Sequence, residues 1–334
     1  MIAEISANAK MEKISVIMSV YNENEEELKE SIESILGQTY KNFEFIIIID
    51  NPVEKWRIDY IKKYKDERIK LIVNDENIGL PKSLNKGLEY ATGEYIARMD
   101  ADDISMPMRF EKQIEFLKKK GYDLCGSNIE DFADEKILKK KIYPENSEDI
   151  RKMLFIKNCV PHSTFFGKKE VFLKLNGYTN IFSCEDYDFL LRAVNNNIKI
   201  GNVQEILLKY RIRAQGICIS NSGKQELITI YIRKLYKKNK DLIVSEDMIE
   251  NFIDSKEFKK KIKNYNFYSE IKNRCKYMNK KQIKYYIYMI FLLLNFKYST
   301  RLIFSKLMEW KYIIIAKKRN KKNIVEWGEN TWFN

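Results

Sequence analysis

At 334 residues with 45% hydrophobic content, the chain is long enough for one large domain and a smaller one and can fill a core, which excludes whole-chain disorder. Its formal charge of +13 is unevenly spread: from Lys224 onward 26 lysines and arginines face 11 acidic residues, whereas the first 223 residues hold 34 against 36. A near-neutral body with a basic appendage implies two regions with different partners. Five cysteines, with no pair at the two-residue spacing of a zinc knuckle or redox motif, fit a reducing cytoplasm. There is one histidine, His162, so any metal must be held mainly by oxygen, which favours Mg²⁺ or Mn²⁺ over zinc.

In chain order, residues 1–12 form a leader without an apolar run of signal-peptide length, so export is not expected. "ISVIMSV" at 14–20 is the short apolar run expected of a strand buried on both faces. A helix should follow, capped by Asn24, favoured at its positive end by Glu25, Glu26 and Glu27, striped by Leu28, Ile32, Ile35 and Leu36, and stopped at Gly37. The unit repeats: "FEFIIIID" at 43–50 is a strand, 54–65 reads as helix, and "RIKLIVN" at 68–74 is a third strand. Pro81 then opens a helix that Thr92 and Gly93 close before the strand "EYIARM". Such alternation predicts a doubly wound α/β half with a mostly parallel sheet, whose ligands sit at the carboxyl ends of the strands. Ser19, Tyr21 and Asn22, then Asp50 and Asn51, then Asn74, then Asp100 to Asp103 occupy those four ends.

Farther on, a helix is expected over 107–120 with Phe110, Ile114 and Leu117 inward, then a strand "DLCGSNIEDF", a short helix "KKEVFLKLNG", and an extended stretch at 199–212. From about 224 the pattern is helical.

Two acidic clusters carry chemistry. In "YIARMDADDISMP", 95–107, Asp100, Asp102 and Asp103 would repel one another at a strand end, and a divalent cation resolves that conflict. A plain helix cap at Asp102 or Asp103 is the alternative. The second cluster, "SCEDYDFLLRAV" at 183–194, holds candidates for a base but by itself reads first as an acidic first turn favoured by the helix dipole.

The ordered set "ISVIMSVYNE", "SILGQTYKNFEFIIIID", "NIGLPKSLNKGLEYATGEYIARMDADD" and "EDYDFLLR" resembles the family 2 nucleotide-sugar glycosyltransferases over residues 13 to about 212. The resemblance implies a GT-A fold, Rossmann-like, followed here by a helical C-terminal region. It also implies inverting transfer of a sugar from a nucleoside diphosphate donor to an acceptor hydroxyl, assisted by Mn²⁺ or Mg²⁺. Matched by position, Asp102 and Asp100 stand where the family holds its metal, with Asp102 preferred as the direct ligand. Ser19 and Tyr21 match the nucleotide-pocket loop, and Asp50 with Asn51 match the residues that meet base and ribose. Asn51 replaces a carboxylate, which loosens the link to a uridine donor, and it reads equally as a turn residue before Pro52. Asp186 matches the base and Glu185 the group that orients the acceptor, with Asp188 a weaker candidate.

Arg98 is expected to pair with Asp100 or Asp103 and to meet phosphate, while Lys82 and Lys86 read as solvated helix-face charge. His162 should approach the same rim, as a ligand contact or a structural ring. The catalytic domain is expected at 13–220 and a basic, mainly helical region at 221–334. That region's apolar core, Tyr285 to Phe296, is too short to span a bilayer, which takes about 20 residues. Such a segment suits the surface of an anionic inner leaflet and a glycan or lipid-linked acceptor, or plain packing on the domain; nucleic acid is not expected as a partner. A UDP-sugar is the first choice of donor. The alternatives are a non-catalytic nucleotide-sugar-binding protein of the same fold and a metal-dependent nucleotidyltransferase.

Overall fold

The computed structural model describes residues 11–134, 136–181, 183–213 and 222–277. Four strands, β1 (Ile14–Val20), β2 (Phe43–Ile49), β3 (Ile69–Val73) and β4 (Tyr95–Asp100), run parallel in the spatial order β3-β2-β1-β4. Between them lie α1 (Glu25–Leu36), α2 (Lys55–Lys62) and α3 (Leu80–Tyr90). Every residue of β2 is buried, and alternate side chains feed two separate cores. Phe45, Ile47 and Ile49 join Leu28, Ile32 and Ile35 of α1 on one face, and Ile46 and Ile48 join Leu84 and Leu88 of α3 on the other. This period-2 division is why the strand can be a continuous isoleucine run.

The α1 cap is as expected: Asn24 accepts from the Glu27 N–H while the Glu27 carboxylate accepts from the Asn24 N–H. At α3, the Gly87 backbone lies so close to β1 that an added Cβ would stand 2.5 Å from Ile17 Cγ2. Helix α2 stops at Lys62, short of the expected 65.

The second half is mixed in strand direction. It contains β5 (Ile104–Ser105), α4 (Arg109–Lys120), β6 (Leu124–Ala133), β7 (Lys136–Lys141), α5 (Ser147–Leu154), a 3-10 turn at His162–Thr164, β8 (Phe166–Lys168), α6 (Lys169–Lys174), α7 (Glu185–Asn195) and β9 (Ile200–Arg211). The sheet continues from β4 through β8, β6 and β9 to β5, with β8 antiparallel to both neighbours and β9 parallel to β6. Helix α4 begins at Arg109, two residues later than expected, because Pro107 ties its carbonyl to the Thr39 N–H instead. Phe110, Ile114 and Leu117 face inward as expected.

Helices α8 (Ser222–Lys238), α9 (Glu246–Asp254) and α10 (Lys256–Tyr277) follow. Leu227, Ile228, Ile232 and Tyr236 of α8 share one apolar cluster with Phe189, Leu190 and Leu191 of α7, so this part of the basic region packs on the same core. The apolar segment Tyr285 to Phe296 lies outside the described residues, as does Cys218. Cys125, Cys159 and Cys184 are buried free thiols. Among the described residues, no helix is long and apolar enough to cross a membrane.

Candidate active site

The parallel order of β3, β2, β1 and β4 brings their carboxyl ends, with Asn74, Asp50, Ser19 and Asp100, to one rim. Asp50 is buried, and its carboxylate accepts from Asn74 Nδ2 at 2.8 Å and from the Ile78 and Gly79 backbone N–H groups at 3.0 Å each. Gly79 has φ of +85°, which lets that loop turn its amides onto the acid. Asn51 is half-buried beside it, and Tyr21 is exposed at the end of β1. Lys82 is exposed, in keeping with a solvated charge. Lys86 departs from that expectation, because its ammonium donates to Asn74 Oδ1 at 2.9 Å and is drawn into the Asp50 network.

Asp100, Asp102 and Asp103 each offer a carboxylate oxygen, and these lie within 4.8 Å of one another. The turn carrying them is fixed from four directions. Ser31 of α1 donates to the Asp100 carbonyl, Ser163 Oγ accepts from the Asp100 N–H, Arg109 donates to the Arg98 carbonyl, and Arg211 donates through Nε to the Asp102 carbonyl. Burial, followed by the charge of Asp100, pushes the Asp102 carboxyl up to about 7 against the opposing pull of Arg213. Burial and the charges of Asp102 and Asp100 raise Asp103 further, and its Oδ2 has no hydrogen-bond partner among the described residues. Converging hard oxygens short of positive charge are a donor set that fits Mn²⁺ or Mg²⁺.

Glu185 and Asp186 open α7. Asp186 is half-buried; its Oδ2 accepts from Asn158 Nδ2 at 2.7 Å and its Oδ1 from the Tyr187 N–H at 2.7 Å. Burial is the main cause that pushes Asp186 up to about 6, and burial with the neighbouring Asp186 charge pushes Glu185 up to about 8. Asp188 is excluded from the rim: it is fully buried, ion-paired with Arg192 at 2.7 Å and bonded to the Tyr236 hydroxyl at 2.6 Å.

Arg98 joins the two acidic groups. It is 2% exposed and ion-paired with Asp100, its positive charge acts on both Glu185 and Asp186, and its Nε and one terminal nitrogen have no partner among the described residues. His162 does reach the rim, with Nδ1 3.9 Å from Glu185 Oε1. Its ring packs edge-on against Phe165 and Tyr178, and burial, reinforced by Arg98, holds it well below the usual histidine range and therefore neutral.

Residues 15–175 match the family model described as "Glycosyl transferase family 2". An uncharacterised glycosyltransferase of Methanocaldococcus jannaschii is 39% identical over 232 residues, spanning 68% of this chain and 80% of the relative. The chain belongs to glycosyl transferase family 2. The O-antigen biosynthesis glycosyltransferase WbnJ of Escherichia coli is 37% identical over 235 residues, covering 68% of this chain and 91% of that one. Among solved structures, S. aureus TarS 1-349 in complex with UDP-GlcNAc superposes with a TM-score of 0.58 at 17% identity, over 96% of this chain and 97% of that one. The Pyrobaculum calidifontis mannosyltransferase PcManGT, in complex with GDP-Man and Mn²⁺, gives 0.55 at 12% identity, over 94% and 89%. At such identities the likeness is one of fold, the GT-A fold.

Sequence reasoning missed several residues that this glycosyltransferase places at its rim. Asn158 holds Asp186, Ser163 holds Asp100, and Arg213 contacts Asp102 across 111 positions of chain, Nε to Oδ2 3.1 Å. No spacing rule connects such distant partners. Helix α8 was also missed as a support for α7: Arg233 donates to the Tyr187 hydroxyl, Tyr236 to Asp188, and Gln225 to the Ser183 carbonyl. Aromatic and basic residues at helical spacing on α8 were its one available signal.

Proposed function

We propose that this glycosyltransferase moves a sugar, with inversion, from a nucleoside diphosphate sugar to a hydroxyl of a glycan or lipid-linked saccharide. The observation carrying the proposal is the convergence of an oxygen-donor triad and a raised-pKa carboxylate pair on one rim, with the buried Arg98 between them. Asp102 and Asp100 would hold a divalent cation, which when bound neutralises the departing diphosphate.

Asp186 takes the proton of the attacking hydroxyl. At about 6 its carboxyl is ionised at neutral pH and still basic enough to accept a proton. Glu185, at about 8, keeps its proton there and donates a hydrogen bond that orients the acceptor. Arg98 supplies two unpartnered donors toward phosphate oxygens. Ser19, Tyr21, Asp50 and Asn51 form the nucleotide side, and neutral His162 serves as a wall beside Glu185.

UDP is the first choice of nucleotide. TarS is seen with UDP-GlcNAc, and a further relative is a UDP-Glc-dependent β-1,3-glucosyltransferase of Escherichia coli, 30% identical over 212 residues. GDP is the alternative that the mannosyltransferase complex supports. We place the reaction at the cytoplasmic face of the membrane in surface polysaccharide or glycolipid assembly, as the O-antigen relative suggests, with a catalytic domain at 13–220 and the basic region at 221–334 engaging acceptor or membrane.

A thermal-shift screen of nucleotides with and without Mn²⁺ tests this, because a ligand bound to the native state raises its apparent stability. Metal-dependent stabilisation by one nucleotide, and release of nucleoside diphosphate rather than pyrophosphate on turnover, is the expected result. No shift with any nucleotide at saturation overturns it.

A further inference from the structure

Resting on that metal reading, we propose that Arg213 is an exchangeable internal counter-ion of the acidic triad: it sits on Asp102 until a divalent cation takes that carboxylate, and then binds the donor's diphosphate. Arg213 lies just past β9, with its guanidinium between α1 and the β4 turn. One terminal nitrogen donates to Glu27 Oε2 at 2.7 Å, and Nε lies 3.1 Å from Asp102 Oδ2. That Nε is buried, yet makes an ion-pair contact without hydrogen-bond alignment to any described acceptor.

The two arginines at this edge differ in kind. Arg211 binds the Asp102 carbonyl with Nε, gives its backbone N–H to Asp103 Oδ1, and pairs with Glu30. The side-chain bonds to the Asp102 carbonyl and to Glu30, which lies outside the triad, hold the turn whatever its carboxylates do. Arg213 instead touches only side-chain carboxylates among the described residues, and it is the largest favourable influence on Asp102, where Asp100, Glu23 and Glu27 all act in the opposite sense.

A divalent cation on the triad removes the reason for that contact. It adds two positive charges beside a guanidinium whose acid is now engaged elsewhere, and like charges so close in a partly buried site repel. Glu27 keeps the side chain anchored at the rim, so the freed nitrogens stay near the triad. A diphosphate drawn to the ion then presents the acceptors that a planar guanidinium fork matches best. One residue therefore opposes metal alone and favours metal with diphosphate.

The test measures two affinities on the full chain: Mn²⁺ alone by calorimetric titration, and inorganic pyrophosphate at saturating Mn²⁺. Arg213→Ala is expected to bind Mn²⁺ about tenfold more tightly and pyrophosphate about tenfold more weakly, opposite signs that a merely structural loss does not produce. Arg213→Lys keeps the charge without the fork and should hold Mn²⁺ affinity near wild type while weakening pyrophosphate. Arg213→Gln gives the same two readings as alanine if the alanine variant unfolds.

Unchanged or weaker Mn²⁺ binding by Arg213→Ala overturns the inference while leaving the metal site standing. Absence of Mn²⁺ binding by the wild-type protein removes the metal reading and the inference together. In the Asp102→Ala background, an Arg213 substitution should change Mn²⁺ binding no further.

Discussion

Carboxylates are buried at both ends of the parallel strands, and their electrostatic states are opposite. At the amino end Glu44, 2% exposed, accepts from Ser15, from Lys70 at 2.6 Å, from Lys13 at 3.0 Å, and from the backbone and hydroxyl of Thr92 at 2.6 and 2.8 Å. Burial would raise its carboxyl, but Lys70, Ser15, Thr92 and Lys13 together hold it well below the usual range. At the carboxyl end Asp102, Asp103, Glu185 and Asp186 are all raised, burial being the first cause in each. An acid whose partners are complete serves the fold, and one left short of positive charge is poised to receive a cation or a proton.

The sharpest break in the comparison comes from Asp186→Asn, which should lower kcat by about 10³-fold with melting temperature little changed, since an amide cannot take the proton. In the wild type, kcat/KM should rise as pH increases through about 6, where Asp186 ionises, and fall above about 8, where Glu185 loses its proton. A flat profile between pH 5 and 9 sinks the assignment of both roles. Next in size, Asp102→Ala should abolish the Mn²⁺-dependent part of nucleotide binding, read by calorimetry, and leave circular dichroism unchanged.

At the other end, Glu44→Gln should cost about 2 kcal/mol of stability by denaturant unfolding, the loss of charged hydrogen bonds, and leave kcat as it was. Because Glu44 lies below its ordinary value of 4.5 when folded, its contribution is present above about pH 4.5 and fades as pH falls further. Glu185→Gln should act oppositely. The wild-type carboxyl is raised to about 8, so its ionisation costs stability as pH rises from 4.5 through 8, and the variant should be more stable than wild type at pH 9 and no more stable at pH 4. Loss of stability at pH 9 would mean that Glu185 is paired after all. The smallest change is expected of Asn51→Asp, which should alter nucleotide affinity by less than about tenfold, because the Asp50 network beside it stays intact.

Much of the catalytic half was legible because its cues are local. The apolar runs at 14–20 and 43–49, the Asn24 cap with Glu27, and the Pro81 helix start became the elements expected, within a few residues at their ends. The position of the aspartate triplet at a strand end was legible for the same reason. The second half was less so. Its reversed strand β8 is three residues long and pairs with β4 and β6 through contacts far apart in sequence, which leave no periodic trace. Lys86 looked like a solvated helix charge because its partner Asn74 belongs to the rim rather than to its own helix.

The sequence by itself determined which segments alternate as strand and helix, and that the acids cluster beside strand and helix ends, since both follow from side-chain period and from chain neighbours. Tertiary structure alone decided which acids are satisfied. Glu44 and Asp102 are each an acid at a strand end, and only the fold brings two lysines to the first while setting one Arg213 and three competing carboxylates around the buried second. A carboxyl's charge state depends on solvent access and on charges within a few ångströms, and those distances are set by packing between segments remote in the chain.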